Sequence, residues 1–178
     1  MLAINSIVAI YDAQRDLETA VQDLQQSAFD LKNVSIVGRE HESSEQVLGY
    51  YVAGGRLRCC GTTGAFWNDL WSNLQGGGQF AIPGVGRVLV AGPVTTAVVS
   101  AMEGHAIEGL SAVGAGLHTM SIPKAGILRY ESALKAHKLL LVADGAIREV
   151  LRLKDVLRES QPREINIHFA SEGIQSAA

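Results

Sequence analysis

Between Gly61 and Ile122 the chain runs for 62 residues with only four charged side chains, Asp69, Arg87, Glu103 and Glu108. The same stretch holds 12 of the 19 glycines. The protein has 15 Lys and Arg and 18 Asp and Glu in 178 residues, so nearly all of its charge lies in the two flanks. A segment this apolar must be covered by the rest of the chain, by another copy, or by lipid. The sequence therefore reads as a conventional charged domain interrupted by a Gly-rich insertion.

The N-terminal flank opens with Ile4–Tyr11, a run rich in β-branched residues that fits a buried strand. Asp12 offers an N-cap. Leu17, Val21, Leu24, Ala28 and Leu31 follow at helical spacing, with polar residues between them. Val34–Gly38 is a second short strand. The C-terminal flank repeats this order. Pro123 suits the first turn of a helix whose apolar face is Ile127, Tyr130 and Leu134. Leu139–Ala143 is a continuous apolar strand. Ile147, Val150, Leu151 and Leu157 mark an amphipathic helix. Glu164–Ala170 then alternates, with Ile165, Ile167 and Phe169 on one face and Asn166 and His168 on the other.

With the middle and one helix set aside, the order is β-α-β followed by β-α-β. That order predicts an α+β chain with a ferredoxin-like domain, one sheet with two helices on one face. Residues 1–46 and 123–170 are its two halves. Residues 47–122 are a Gly-rich, apolar helical hairpin inserted between the second and third strands. Residues 171–178, small and polar, are expected to fray.

Within the insertion, Val47–Gly55 fits a strand extension or hairpin arm. A short helix follows, with Phe66, Trp67, Leu70, Trp71 and Leu74 on one side, and Gly76-Gly77-Gly78 stops it. A membrane span needs about 20 mostly apolar residues. The longest uncharged apolar stretch, Val88–Met102, has 15 and contains Gly92-Pro93. An Arg or Glu near a span centre would cost about 3 kcal/mol. Buried helices are the better expectation.

Small residues recur near one side of a helix: Ala97, Ala101, Gly104, Ser111, Ala112, Ala115 and Gly116. Such faces let backbones approach closely. An intramolecular hairpin would use them, and so would self-association, which the sequence reading favours. Glu108 falls at a gap in the stripe, where an acid must be paired, protonated or wet.

Several phrases of the chain resemble the bacterial heat-induced general stress protein domain family. They are Val47-Leu48-Gly49-Tyr50-Tyr51, Gly64-Ala65-Phe66-Trp67, Ile82-Pro83-Gly84-Val85-Gly86 and Val88-Leu89-Val90-Ala91-Gly92-Pro93. Glu103-Gly104, Gly109-Leu110-Ser111-Ala112, Ile122-Pro123, Tyr130-Glu131 and Ala133-Leu134-Lys135 extend the likeness, which runs from about Ile7 to Asp144. The chain departs at Cys59-Cys60 and Asn68-Asp69, where an aromatic-basic or Gly-rich stretch is expected. It departs also at His105 and Glu108, at positions usually small or apolar. The resemblance implies a stress-associated bacterial protein and supplies no reaction.

The residues themselves carry no catalytic signature. Gly76-Gly77-Gly78 and Gly84-Val85-Gly86 match neither a P-loop nor G-x-G-x-x-G, and read as turns. Cys59-Cys60 is not C-x-x-C and has no second pair. Glu103, His105 and Glu108 are weak metal candidates that would need further ligands. No G-x-S-x-G occurs. Lys124, Arg129, Lys135, His137 and Lys138 form a basic cluster that could meet a phosphate but is more simply a solvated face. A net charge of −3 gives no reason to expect nucleic acid. No cofactor is expected. The N-terminus has no basic region before an apolar run, so no secretory leader is expected and a cytoplasmic location is.

The leading expectation is a non-enzymatic homo-oligomer. Its contacts would be Ala97, Ala101, Gly104, Glu108, Ala112 and Gly116 of the arm, with Trp67 and Trp71. The alternatives are a protein whose arm lies in or crosses a membrane, and a sensor of a small ligand or metal.

Overall fold

In the computed structural model, residues 4–39, 74, 76–104 and 107–170 are described. The expected arm at Val47–Gly55, most of the short aromatic helix including Trp67 and Trp71, Cys59-Cys60, His105 and the tail 171–178 lie outside the described residues.

The protein is α+β. Six strands, β1 (Asn5–Tyr11), β2 (Val34–Arg39), β3 (Gly77–Ile82), β4 (Gly86–Ala91), β5 (Leu139–Gly145) and β6 (Glu164–His168), form one sheet in the order β3-β4-β2-β5-β1-β6. Every neighbouring pair is antiparallel. Among the described residues, the α-helices are α1 (Gln14–Gln26), α2 (Val94–Met102), α3 (Ala112–Thr119), α4 (Lys124–Lys135) and α5 (Ile147–Arg158).

Both faces of the sheet are covered. Ile7, Ala9 and Tyr11 of β1 and Leu141 and Ala143 of β5 pack with Leu17, Ala20, Val21 and Leu24 of α1 and Val150, Leu153 and Leu157 of α5. Val8, Ile10, Leu140 and Val142 point the other way. They meet Val94 and Val98 of α2, Val113 and Leu117 of α3, and Ile127, Tyr130 and Leu134 of α4. Two covered faces explain why Leu139–Ala143 is continuously apolar rather than alternating. Each large side chain so buried contributes roughly 1.5–3 kcal/mol.

The insertion takes a shape the sequence reading did not foresee. Its run from Gly77 to Ala91 is a β-hairpin that widens the sheet beside β2, not part of a helical arm. Pro83-Gly84 makes the turn. Val85 N–H donates to the Ile82 carbonyl at 3.1 Å, and Gly84 has φ +83°, the backbone that favours Gly after Pro. The β-branched Val88 and Val90 then favour a strand. Of its other described residues, Val94–Met102 and Ala112–Thr119 fold as α2 and α3, and these cover the sheet's second face together with α4. The described apolar strands and helices of the insertion are therefore buried largely against their own chain.

Gly92 allows the chain to leave β4 and enter α2. Its φ is +97°, and a Cβ there would lie 2.1 Å from the Val34 carbonyl oxygen. The Val94 N–H at the head of α2 donates to Ser35 Oγ at 3.1 Å, so a side chain of β2 caps this helix. Helix α1 also departs from expectation. It ends at Gln26, and Ala28 is exposed in a left-handed turn with φ 59°. Asp12 does not cap it; its N-cap is Ala13.

Candidate functional site

The small-residue stripe divides between the interior and the surface. Gly116 of α3 is buried, and a Cβ there would stand 3.1 Å from Val94 Cγ2 and from Val98 Cγ2. Ala101 and Ala115 are buried, and Ala97, Ser111 and Ala112 are half-buried. Close approach of α2 and α3 within one chain therefore uses Gly116. Ala101 and Gly116 are thus already covered within one copy of the chain. Gly104 is exposed at the turn after α2.

The acid on the helix seam is Glu131, not Glu108. Glu108 is exposed in a turn between α2 and α3, as Glu103 is at the end of α2. Glu131, 7% exposed, accepts from Ser111 N–H at 3.1 Å and from Ser111 Oγ at 2.7 Å. Ser111 Oγ in turn accepts from Gly114 N–H at 3.1 Å. The carboxylate of α4 thus sits at the N-terminus of α3, where unpaired backbone N–H groups favour negative charge. Gly114 makes room for it: a Cβ there would meet Glu131 Oε1 at 2.2 Å. Sequence reasoning saw Ser111 only as a small residue and did not single out Gly114, although a Ser just before a helix is an N-cap signal.

A second polar group runs across the sheet at one end. Asp144 lies opposite Ser6, and Ser6 lies opposite His168, so three strands present an Asp-Ser-His row on the α4 face. Tyr130 of α4 reaches His168, with Oη 2.6 Å from Nε2. Burial lowers the His168 imidazole below its usual range and pushes the Tyr130 phenol up to about 12. Burial also raises the Asp144 carboxyl, whose Oδ1 is enclosed without a hydrogen-bond partner among the described residues. Ser6 is fully buried, and its hydroxyl donates to the Met120 carbonyl. That hydroxyl is committed to the backbone and shielded from any substrate, so the row is a packing device rather than a nucleophile with its base. Sequence placed Asn166 and His168 on one face of β6 but could not pair them with β1 or α4.

Two members of the basic cluster, Lys138 and Arg129, are held in ion pairs. Lys138 Nζ lies 2.6 Å from Asp12 Oδ1, and Arg163 Nη1 lies 3.3 Å from the same atom. The Lys138 hydrogen bond is the main cause holding the Asp12 carboxyl below its usual range. Arg129 pairs with Glu164, which also accepts from Asn166. Among the described residues, no three His, Cys, Asp or Glu side chains converge as a metal site. Among the same residues, no helix is long and apolar enough to cross a membrane.

Apart from Met102 at the end of α2 and Leu128 of α4, the large apolar residues exposed among the described residues lie near β6. Among the described residues, this strand ends the sheet and pairs with β1 alone. Asn5 lies opposite Gly145 and Ser6 opposite His168, which brings the exposed Ile4, Ile147 and Phe169 to one end of the sheet. Leu151, also exposed, follows Ile147 by one helical turn. The opposite flank of α5 faces α1, where Arg152 Nη2 donates to the Ser27 carbonyl at 2.6 Å. Ile165 and Ile167 of β6 are only partly buried against the same core. Isolated exposed apolar residues are ordinary, but a cluster beside an open strand edge is a feature of contact surfaces.

No protein-family model, no curated protein and no solved structure matches the chain.

Proposed function

We propose that this protein is a cytoplasmic, non-enzymatic, self-assembling component of a bacterial stress response. Its core is read as a ferredoxin-like domain, β1-α1-β2 and β5-α5-β6, split by an insertion between β2 and β5. The order β2-β5-β1-β6 with α1 and α5 on one face supports that reading. The stress association rests on the resemblance of the Gly-rich segment.

Self-assembly is carried by one observation. The described strands and helices of the insertion pack against their own chain, yet Ile4, Ile147, Leu151 and Phe169 stay exposed beside a strand that, among the described residues, ends the sheet. The contact is therefore drawn at this margin rather than on the seam of α2 and α3. Native mass spectrometry and light scattering of the full chain test the reading. A defined multiple of 18.9 kDa is expected. A single 18.9 kDa species overturns it, as does a monomer that floats with lipid vesicles.

A further inference from the structure

The partner of the β6 margin can be specified, granted the self-assembly just proposed. We infer that β6 pairs with β6 of a second copy, antiparallel about a two-fold axis through Asn166, joining two six-stranded sheets into one.

Self-complementarity of the strand carries the inference. A two-fold contact must match a surface to itself. With Asn166 on the axis, Ile165 stands opposite Ile167 of the second copy, and Ile167 opposite its Ile165. The face that bears them is the one next to Ile147, Leu151 and Phe169, so two apolar margins become one covered layer. On the other face, Glu164 stands opposite His168 of the second copy, and His168 opposite its Glu164. Tyr130 Oη lies 2.6 Å from Nε2 of His168; in the tautomer where the phenol donates, the imidazole proton lies on Nδ1, a donor that a facing carboxylate can accept. The two Asn166 side chains meet at the axis; each amide nitrogen already donates to Glu164 of its own copy and keeps a second N–H and its carbonyl oxygen for the partner. Apolar meets apolar, acid meets imidazole, and amide meets amide.

Other registers lose this match. Centring on Ile167 sets Glu164 against Ala170 and removes the acid-imidazole pairs. Centring on Ile165 sets Arg163 against Ile167. The other edge of the sheet offers less, because Gly77 and Gly78 of β3 are buried and carry no side chains to interlock. Within each copy, the Arg129 pair with Glu164 and the Tyr130 pair with His168 already hold the two polar residues on the α4 face.

The test is a cross-link at the axis. Asn166→Cys is made in the full chain with Cys59→Ser and Cys60→Ser, and Gln79→Cys on β3 serves as the comparison. Mild oxidation should convert most of the Asn166→Cys chains to a covalent dimer and leave Gln79→Cys monomeric on a non-reducing gel. Ile167→Lys should lower the native mass while circular dichroism stays unchanged; if that variant unfolds, the cross-link alone decides. An oligomeric wild-type protein whose Asn166→Cys form does not cross-link overturns the β6 pairing and leaves self-assembly standing. A monomeric wild-type protein overturns both.

Discussion

The phenol oxygen of Tyr130 lies 2.6 Å from Nε2 of His168, and the two rings meet edge to face at 87° with centroids 5.7 Å apart. This contact ties α4 to the edge strand β6, across 38 positions of sequence. It also gives stability a pH dependence of known sign.

Burial holds the folded His168 below its ordinary value of 6.5, so the unfolded chain takes up the proton first as pH falls. The stability this group contributes is full above the ordinary histidine range, falls as pH drops through it, and levels off below the folded value. The alkaline limb mirrors it. Tyr130 is raised from 10 to about 12, so stability is lost as pH rises between those values. Tyr11, likewise buried and raised to about 12, contributes a second share. Tyr130→Phe should cost about 1 kcal/mol at neutral pH, the net worth of one hydrogen bond. It should also remove part of the alkaline loss, leaving the share of Tyr11. Urea titrations across pH measure both, and an unchanged alkaline limb in Tyr130→Phe would refute the assignment.

Asp144 predicts the opposite response. Burial raises its carboxyl above the ordinary 3.8, so its stabilising contribution is full below that value and lost as pH rises through the folded one. At neutral pH the charged side chain, with Oδ1 enclosed and unpartnered among the described residues, opposes folding. Asp144→Asn should therefore stabilise the protein by about 1 kcal/mol at pH 7, on the scale of one unsatisfied buried polar group. The gain should vanish in acid, where wild type is neutral too. Paired denaturation curves at the two pH values decide it, and a loss of stability at pH 7 would count against the argument.

Gly114 and Glu131 form a pair in which one residue makes space for the other. Gly114→Ala places a methyl group where Glu131 Oε1 lies, 2.2 Å from the ideal Cβ, with Ile127 Cγ2 at 2.9 Å. The cost should be about 3 kcal/mol, combining overpacking with loss of a buried carboxylate's hydrogen bonds. In a Glu131→Ala background the nearer obstacle is gone, so the same change should cost at least about 1 kcal/mol less. Additive effects of the two substitutions in a thermal double-mutant cycle would disprove the coupling.

The flanks were legible because their periodicities are local. Ile4–Tyr11, Val34–Gly38, Leu139–Ala143 and the alternation of Glu164–Ala170 each appear as strands within two residues of expectation. The hairpin at Gly77–Ala91 was harder. Strands buried on both faces lose alternation, and a run such as Val88–Ala91 then reads equally as buried helix. Its Pro83-Gly84 turn was the available signal. The site was scarcely legible at all. Tyr130 looked like a core residue, and nothing local joins it to His168 or joins Asp144 to Ser6. Register between distant strands creates both relationships. Asp12 shows the same limit: it has the chemistry of a cap, but Lys138 and Arg163 arrive from far along the chain and take its carboxylate.

Ala28 marks the one flank helix whose end the periodicity misplaced, and it can be improved. It occupies the position after the C-cap of α1, where Phe29 N–H donates to the Leu24 carbonyl and Ala28 N–H to the Gln25 carbonyl, both at 3.4 Å. This is a Schellman end, and its left-handed residue is usually Gly. A left-handed non-Gly residue costs about 1–2 kcal/mol, while Gly brings about 0.5–1 kcal/mol of extra unfolded-state entropy. The first effect wins, because Ala28 is exposed and its methyl group contributes little packing. Ala28→Gly should therefore stabilise by about 0.5–1 kcal/mol and raise the thermal midpoint by roughly 2 °C for a chain of this size. Ala28→Val, with a branched Cβ at φ 59°, should move the midpoint the other way. A scan in which Gly lowers the midpoint, or Val raises it, would show that α1 does not end in this turn.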